Sequence, residues 1–199
     1  MRNPIRTTLT AATLAMTLPF AAMAAETYKT DQGHTEVMFG WSHVGVTNQS
    51  GEFTKADGTL VLDEANPENS TLEVTIDTTS LHSGFGPLDD HLKNDDFFGV
   101  DAHPTITFKS TKITPTGEKT ADVTGDLTIR GVTKPFTLTT TLTHLGDHPL
   151  GGAVEYYQGK WAGFEATGVI ENHQEFNVGP FPTGPIAITI RSELKKADG

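Results

Sequence analysis

Thr35-Glu-Val-Met-Phe-Gly-Trp-Ser-His43 is the stretch that decides the fold. In an extended chain successive side chains point to opposite faces, so Thr35, Val37, Phe39 and Trp41 line one face of a β-strand. The same two-residue period recurs along the chain. It appears at Leu60-Leu62, Leu72-Val74-Ile76, Ile106-Phe108, Leu127-Ile129, Phe136-Leu138-Leu142, Phe164-Ala166-Ile170 and Ile186-Ile188-Ile190. Thr, Lys, Glu and Asp stand between the apolar positions, which predicts about eight strands, each with one wet and one dry face. Helices are nearly excluded. The exception is Pro87-Leu-Asp-Asp-His-Leu-Lys-Asn-Asp-Asp-Phe-Phe98, where Leu88 and Leu92 lie at i,i+4 and Pro87 suits a first helical turn. A helix this short is marginal alone, so it is expected to pack on one end of the sheet. Asn66-Pro67, Thr114–Gly117 and Gly146–Gly152 mark turns or loops.

Such strands can bury their dry faces against a second sheet or inward on a closed barrel. Phe39, Trp41, Phe53, Phe97, Phe98, Phe108, Trp161 and Phe164 are spread over many strands and the helix. Large inward side chains can line a cavity, but aromatics are also good core filler, so periodicity leaves barrel and sandwich both open.

Before the first strand, Arg2 and Arg6 precede a moderately apolar run from Thr7 to Phe20, and Ala22-Met-Ala24 supplies a small-x-small pattern. Residues 1–24 are therefore expected to be a cleaved secretory signal, leaving 25–199 as one domain exported to a bacterial periplasm. The apolar run is too short for a bilayer of ~30 Å hydrocarbon. The whole chain carries a net charge of −11; without Arg2 and Arg6, 12 basic residues face 25 acidic ones, giving −13. A surface of that sign repels phosphate backbones and anionic lipid, which argues against nucleic acid and against stable membrane insertion or docking. Cysteine is absent, so burial alone must stabilise the fold.

Catalytic motifs are scarce. There is no Gly-x-Ser-x-Gly elbow, and Gly84-Phe-Gly-Pro87 lacks the context of a phosphate loop. Of eight histidines, only His144 and His148 have a close spacing, in a loop where Gly146 and Pro149 oppose a helix. Asp89, Asp90, Asp95 and Asp96 surround His91 but read first as solvated charge on a helix. No metal or cofactor is expected. His43, two residues beyond Trp41 on the same face, could meet a ligand headgroup or be a satisfied core histidine.

Tyr28-x-Thr30-Asp31, His34-x-x-Val37-x-Phe39, His43-x-Gly45-Val46, Gly51-x-Phe53, Asp90–Lys93, Asp96-Phe-Phe98, His103-Pro104-x-x-x-Phe108-x-Ser110 and Gly125-Asp-Leu-Thr-Ile-Arg-Gly-Val-Thr-Lys-Pro135 resemble, in order, the motifs of the YceI-like family. That resemblance implies an all-β, extended eight-stranded antiparallel lipocalin-like barrel with a short capping helix and an elongated apolar channel. It further implies a ligand that is a long-chain apolar amphiphile: an isoprenoid quinone, a polyprenyl chain or a fatty amide. Phe39, Trp41, Phe53, Phe97, Phe98, Phe108 and Phe164 become candidate tail contacts, and His43, Asp90 and His91 candidate polar groups near the head. Two departures stand out: Ala153–Gly159 lengthens a loop near the expected mouth, and His173 lies near where members often carry an arginine, which favours an uncharged headgroup. The resemblance also allows a homodimer.

The leading expectation is non-enzymatic carriage of such a molecule. The alternatives are an enzyme acting on a lipid with Asp90 and His91 as acid/base pair, and a stress-related interaction protein with a solid core.

Overall fold

The structure, a computed structural model, describes residues 25–197, so the segment read as an export signal lies outside the described residues. Among the described residues ten strands, all paired antiparallel, form one sheet. They are β1 (Glu26–His43), β2 (Thr47–Phe53), β3 (Ala56–Leu62), β4 (Thr71–Asp77), β5 (Leu81–His82), β6 (Thr105–Pro115), β7 (Thr120–Ile129), β8 (Val132–Asp147), β9 (Lys160–Ile170) and β10 (Ile186–Lys196). The α-helix α1 (Gly86–Lys93) follows β5. Eight of the strands close into a barrel in the order β1-β3-β4-β6-β7-β8-β9-β10, with β10 returning to β1.

Those eight are the strands that the two-residue period marks. The short β5 and the polar β2 (Thr-Asn-Gln-Ser-Gly-Glu-Phe) carry almost no apolar alternation, which is why the pattern passes over them. Both lie off the barrel proper: β2 pairs with the second half of β1, from Val37↔Phe53 to His43↔Thr47, and β5 adds to β2 through Glu52↔His82.

β1 therefore changes partner midway. Its first residues, Glu26 to Lys29, pair with Leu62 to Thr59 of β3, and beyond Val37 it pairs with β2. On the other side it follows β10 throughout, with a bulge between Thr30 and Thr35 where β10 advances only from Leu194 to Ser192. Strands that part company strand their backbone polar groups, and two side chains meet that need. The Gln32 amide donates to the Ala56 carbonyl at 2.5 Å and accepts from the Ala56 N–H at 3.3 Å. Thr30 Oγ1 accepts from the Gly58 N–H at 2.9 Å. The bulge thus lets the wall divide without leaving β3 bare.

Inward aromatics lie along the wall instead of filling the lumen. A Cβ at Gly51 would stand 2.6 Å from the tip of the Phe39 ring, and one at Gly125 would stand 2.6 Å from that of Phe108 and 2.4 Å from the Lys109 carbonyl. Each ring rests on bare backbone of the neighbouring strand, so glycine is required there and the centre stays open.

The α1 end of the barrel is closed. Leu92 is buried, Leu88 is half-buried, and Phe98 from the following loop meets Phe53 edge-on at 5.3 Å and Phe39 at 5.9 Å. The β7–β8 hairpin, a two-residue turn with Arg130 and Gly131 both at positive φ, holds this closure. Arg130 Nη1 donates to the Phe97 and Asn177 carbonyls, both at 2.5 Å, which ties the helix loop and the 3₁₀ turn His173–Phe176 to the barrel.

Replacing Gln32 with Ala removes its two hydrogen bonds to the Ala56 backbone and leaves the Ala56 N–H without that acceptor, while Thr30 Oγ1 still donates to the Ala56 carbonyl, and a loss of about 1–3 kcal/mol is expected. Urea unfolding of Gln32→Ala against the parent checks it. Amide exchange should accelerate at Ala56 and neighbouring residues of β3.

Candidate functional site

The barrel encloses a cavity of about 470 Å³, within the usual size of a small-molecule site. Its wall is built from the inward positions of all eight barrel strands, among them Val37, Phe39, Leu60, Ile76, Phe108, Leu127, Leu138, Ala166 and Ile190. Ionisable groups touch it only at its two ends: His173 at the α1 end, and Glu64, Glu118 and Lys119 at the other. The middle is apolar, and an unpaired polar group would be costly there.

All seven expected tail contacts line this cavity: Phe39, Trp41, Phe53, Phe97, Phe98, Phe108 and Phe164. Phe39, Trp41, Phe53 and Phe98 form one cluster at the closed end, with Trp41 stacked on Phe39 at 5.7 Å. The three polar candidates are elsewhere. His43 is exposed at the last position of β1, where the strand has run past the closed end. Asp90 and His91 lie on the solvent side of α1, because the helix turns Leu88 and Leu92 to the barrel and these two residues outward. None of the three lines the cavity, and Asp90 and His91 cannot act as an acid/base pair on a molecule within it.

His173, by contrast, is buried against the cavity. Its Nδ1–H donates to the Val178 carbonyl, and Nε2 accepts from the Thr183 N–H at 3.2 Å. With Nε2 used as an acceptor, the ring presents no cation to the lumen.

At the opposite end the cavity reaches the surface beside Pro67, Gly117, Glu118 and Lys119, in the β3–β4 and β6–β7 connections. An ionic plug stands next to this opening. Glu26 accepts from Lys160 at 2.8 Å, from Lys196 at 2.5 Å and from the Tyr28 hydroxyl at 2.9 Å, and Lys160 also binds Glu64. Hydrogen bonds from Lys160, Lys196 and Tyr28 pull the Glu26 carboxyl down to about 2. Burial, then the Glu26 carboxylate, push the Tyr28 phenol up to about 12. Tyr28 and Leu194 are fully buried beneath the plug. Lys119 has no ion pair among the described residues and is the free cation nearest the opening.

Two expectations drawn from loop length and aromatic content need correction. Ala153–Gly159 does not shape the mouth: its 3₁₀ turn, Glu155–Tyr157, folds onto the outer wall. Trp161, counted among the aromatics that could line a lumen, points outward; its indole N–H donates to the Tyr157 carbonyl at 3.1 Å, and Tyr156, Tyr157 and His148 cover it. Parity places it there, since Ala162 and Phe164 alternate with it on β9.

Reasoning from sequence also missed the plug and Arg130. Arg130 stands in the Gly125–Pro135 block, and its adjacency to Gly131 signals a hairpin turn, but its carbonyl partners come from residues 33 and 47 positions away. Glu26 and Lys160 are 134 residues apart and carry no local signal.

A family model described as the YceI-like domain matches residues 28–195. Protein YceI of Shigella flexneri is 41% identical over 160 residues, which is 79% of this chain and 78% of that protein. The crystal structure of Campylobacter jejuni YCEI protein superposes with a TM-score of 0.67 at 26% identity, covering 79% of this chain and 90% of that one. A polyisoprenoid binding domain from Saccharophagus degradans, implicated in plant cell wall breakdown, shares the fold with a TM-score of 0.59 at 11% identity, covering 87% of this chain and 99% of that one.

The plug gives the fold an acid limit. The folded value of Glu26 lies below its ordinary value of 4.5, so its contribution is complete above that pH and is lost as pH falls toward about 2. Glu26→Gln should lose about 1–2 kcal/mol at pH 7. Its thermal midpoint should also decline less steeply below pH 4.5 than the parent's, which a pH series of melting curves measures.

Proposed function

Because this chain belongs to the YceI-like family, we propose that it binds a long-chain apolar molecule in its barrel and sequesters or carries it through the periplasm without altering it. One observation carries the reading: the lumen of about 470 Å³ is apolar along its middle and meets ionisable side chains only at its ends. The affinity needs no polar recognition. Each CH₂ group taken from water contributes ~0.8 kcal/mol, so a chain of many carbons in a preformed lumen binds with few directed contacts.

The polyisoprenoid binding of the Saccharophagus degradans domain supports an isoprenoid occupant such as a quinone or a prenyl chain, and the apolar lumen would equally suit a fatty amide. The tail would rest on the cluster of Phe39, Trp41, Phe53 and Phe98 at the closed end. The head would sit at the opening, among Lys119, Thr120 and Glu118. The tied imidazole of His173 gives the closed end no charge to hold an anionic group, which suits tail-first entry.

The test is solvent extraction of the purified protein followed by mass spectrometry, then uptake of an isoprenoid quinone by the stripped barrel. Parent protein should yield or take up a long-chain apolar molecule. Ala166→Phe, which adds a ring to an inward wall position, should fold and lose that capacity. A parent barrel that yields no lipid and takes up none overturns the reading, as does undiminished uptake by a folded Ala166→Phe variant.

A further inference from the structure

A second concavity, of about 510 Å³, lies on the outside of the wall, where the bulge of β1 meets β10, β9 and the end of β8. Its floor is Gly163. That residue stands opposite Glu193 on β10 and opposite His144 on β8, so two side chains capable of ligation flank a position that has no side chain. A Cβ there would come within 2.7 Å of Thr143 Oγ1 and 3.4 Å of the His144 Cβ. From the β1 side the bulge brings Asp31 and His34, and ligand atoms of Asp31, His34 and Glu193 all lie within 4.8 Å of one another.

The hydrogen bonds leave this cluster incomplete. His34 Nδ1–H donates to Asp31 Oδ2 at 2.7 Å, and Asp31 Oδ1 accepts from the Gly33 N–H at 2.9 Å. Glu193 Oε2 and His144 Nε2 are both buried from water without a hydrogen-bond partner. Neighbouring cations are engaged elsewhere: Arg191 pairs with Glu36 at 3.2 Å, and Lys195 donates to the Tyr156 carbonyl and lies over the Tyr156 and Trp161 rings. His148 accepts the Leu150 N–H at its Nδ1, which turns its protonated Nε2 toward Glu193 at 3.6 Å, beyond hydrogen-bond length. Two carboxylates and a histidine thus converge, with Asp31 held by the Gly33 N–H and by His34 while Glu193 Oε2 has no hydrogen-bond partner.

We propose that Asp31, His34 and Glu193 are the core of a binding site for a divalent transition-metal ion of the zinc class. A mixed imidazole and carboxylate set suits zinc, whereas calcium and magnesium favour oxygen ligands alone. His148 braces Glu193 from outside, as second-layer partners of metal ligands do, and is itself fixed by stacking on Tyr157 at 4.2 Å. The site opens outward and is separate from the lumen, so its occupancy and that of the barrel are independent measurements. The same cross-strand neighbours that close the barrel, β1 and β10, supply all three donors. Bound metal would pin the bulge to β10.

Titration of chelator-treated full-length protein with zinc chloride, followed by calorimetry and metal analysis of the dialysed sample, tests this. One equivalent should bind and raise the melting temperature, and cobalt(II) in its place should give the visible absorption of a low-coordinate nitrogen and oxygen site. Glu193→Gln and His34→Gln should each weaken zinc by about tenfold or more, while His82→Gln, on the far side of the sheet order, should not change it. His34 is exposed, so its variant should fold even if Glu193→Gln does not. Absence of a stoichiometric zinc site overturns the proposal, as does zinc binding that survives His34→Gln at parental affinity.

Discussion

The pairing of β1 with β10, running from Tyr28↔Lys196 to Gly40↔Ala187, is the contact on which everything else rests. Without it the sheet is an open ribbon with two long unpaired edges and no interior. With it, the two-residue period of every strand acquires an inside and an outside. The same pairing places the Asp31–His34 bulge against Glu193 and sets Glu26 within reach of Lys196. Closure has to tolerate a strand of eighteen residues that serves two different partners on its other side, and Thr30 and Gln32 make that tolerable by standing in for absent backbone.

A closed barrel would ordinarily be filled by its own side chains. Here Phe39, Phe108 and Phe136 lie against glycines of neighbouring strands, Gly51, Gly125 and Gly168, so their rings follow the wall. The result is an interior that is hydrophobic yet not packed to the density of an ordinary core. Stability must then come from the wall itself: its ladder, the aromatic cluster beneath α1, the Arg130 tie and the ion network at the opposite end. The loop over Trp161 adds a second, external apolar patch, which buries an indole that strand parity would otherwise leave in water.

How much of this could be read from the chain depends on the range of each interaction. Strand positions such as Val37 and Phe39 announce themselves through local alternation, and so does the short helix through Leu88 and Leu92. Barrel and sandwich share that alternation, so closure needed the resemblance carried by the Gly125–Pro135 block. Aromatic lining was legible because strand parity and motif position agree at Phe39, Phe53 and Phe108. Polar groups were not: His43 has the right parity, but its strand extends past the barrel, and Asp90 and His91 lie on a helix that turns its leucines inward. The plug and the Arg130 tie join residues far apart in sequence through side-chain reach, which no local period encodes.

The lumen is closed beneath Phe98 and open beside Lys119, which makes it a blind tunnel. A dead end imposes an order of events. Whatever end of a molecule enters first leaves last, and a cargo cannot be pushed through from donor to acceptor. For the carrier role proposed above, donor and acceptor would therefore address the same rim of the barrel in turn, each seeing the same exposed tip of the cargo. A shuttle built this way would have one docking face for two encounters, and its direction would come from which neighbour holds the cargo more tightly.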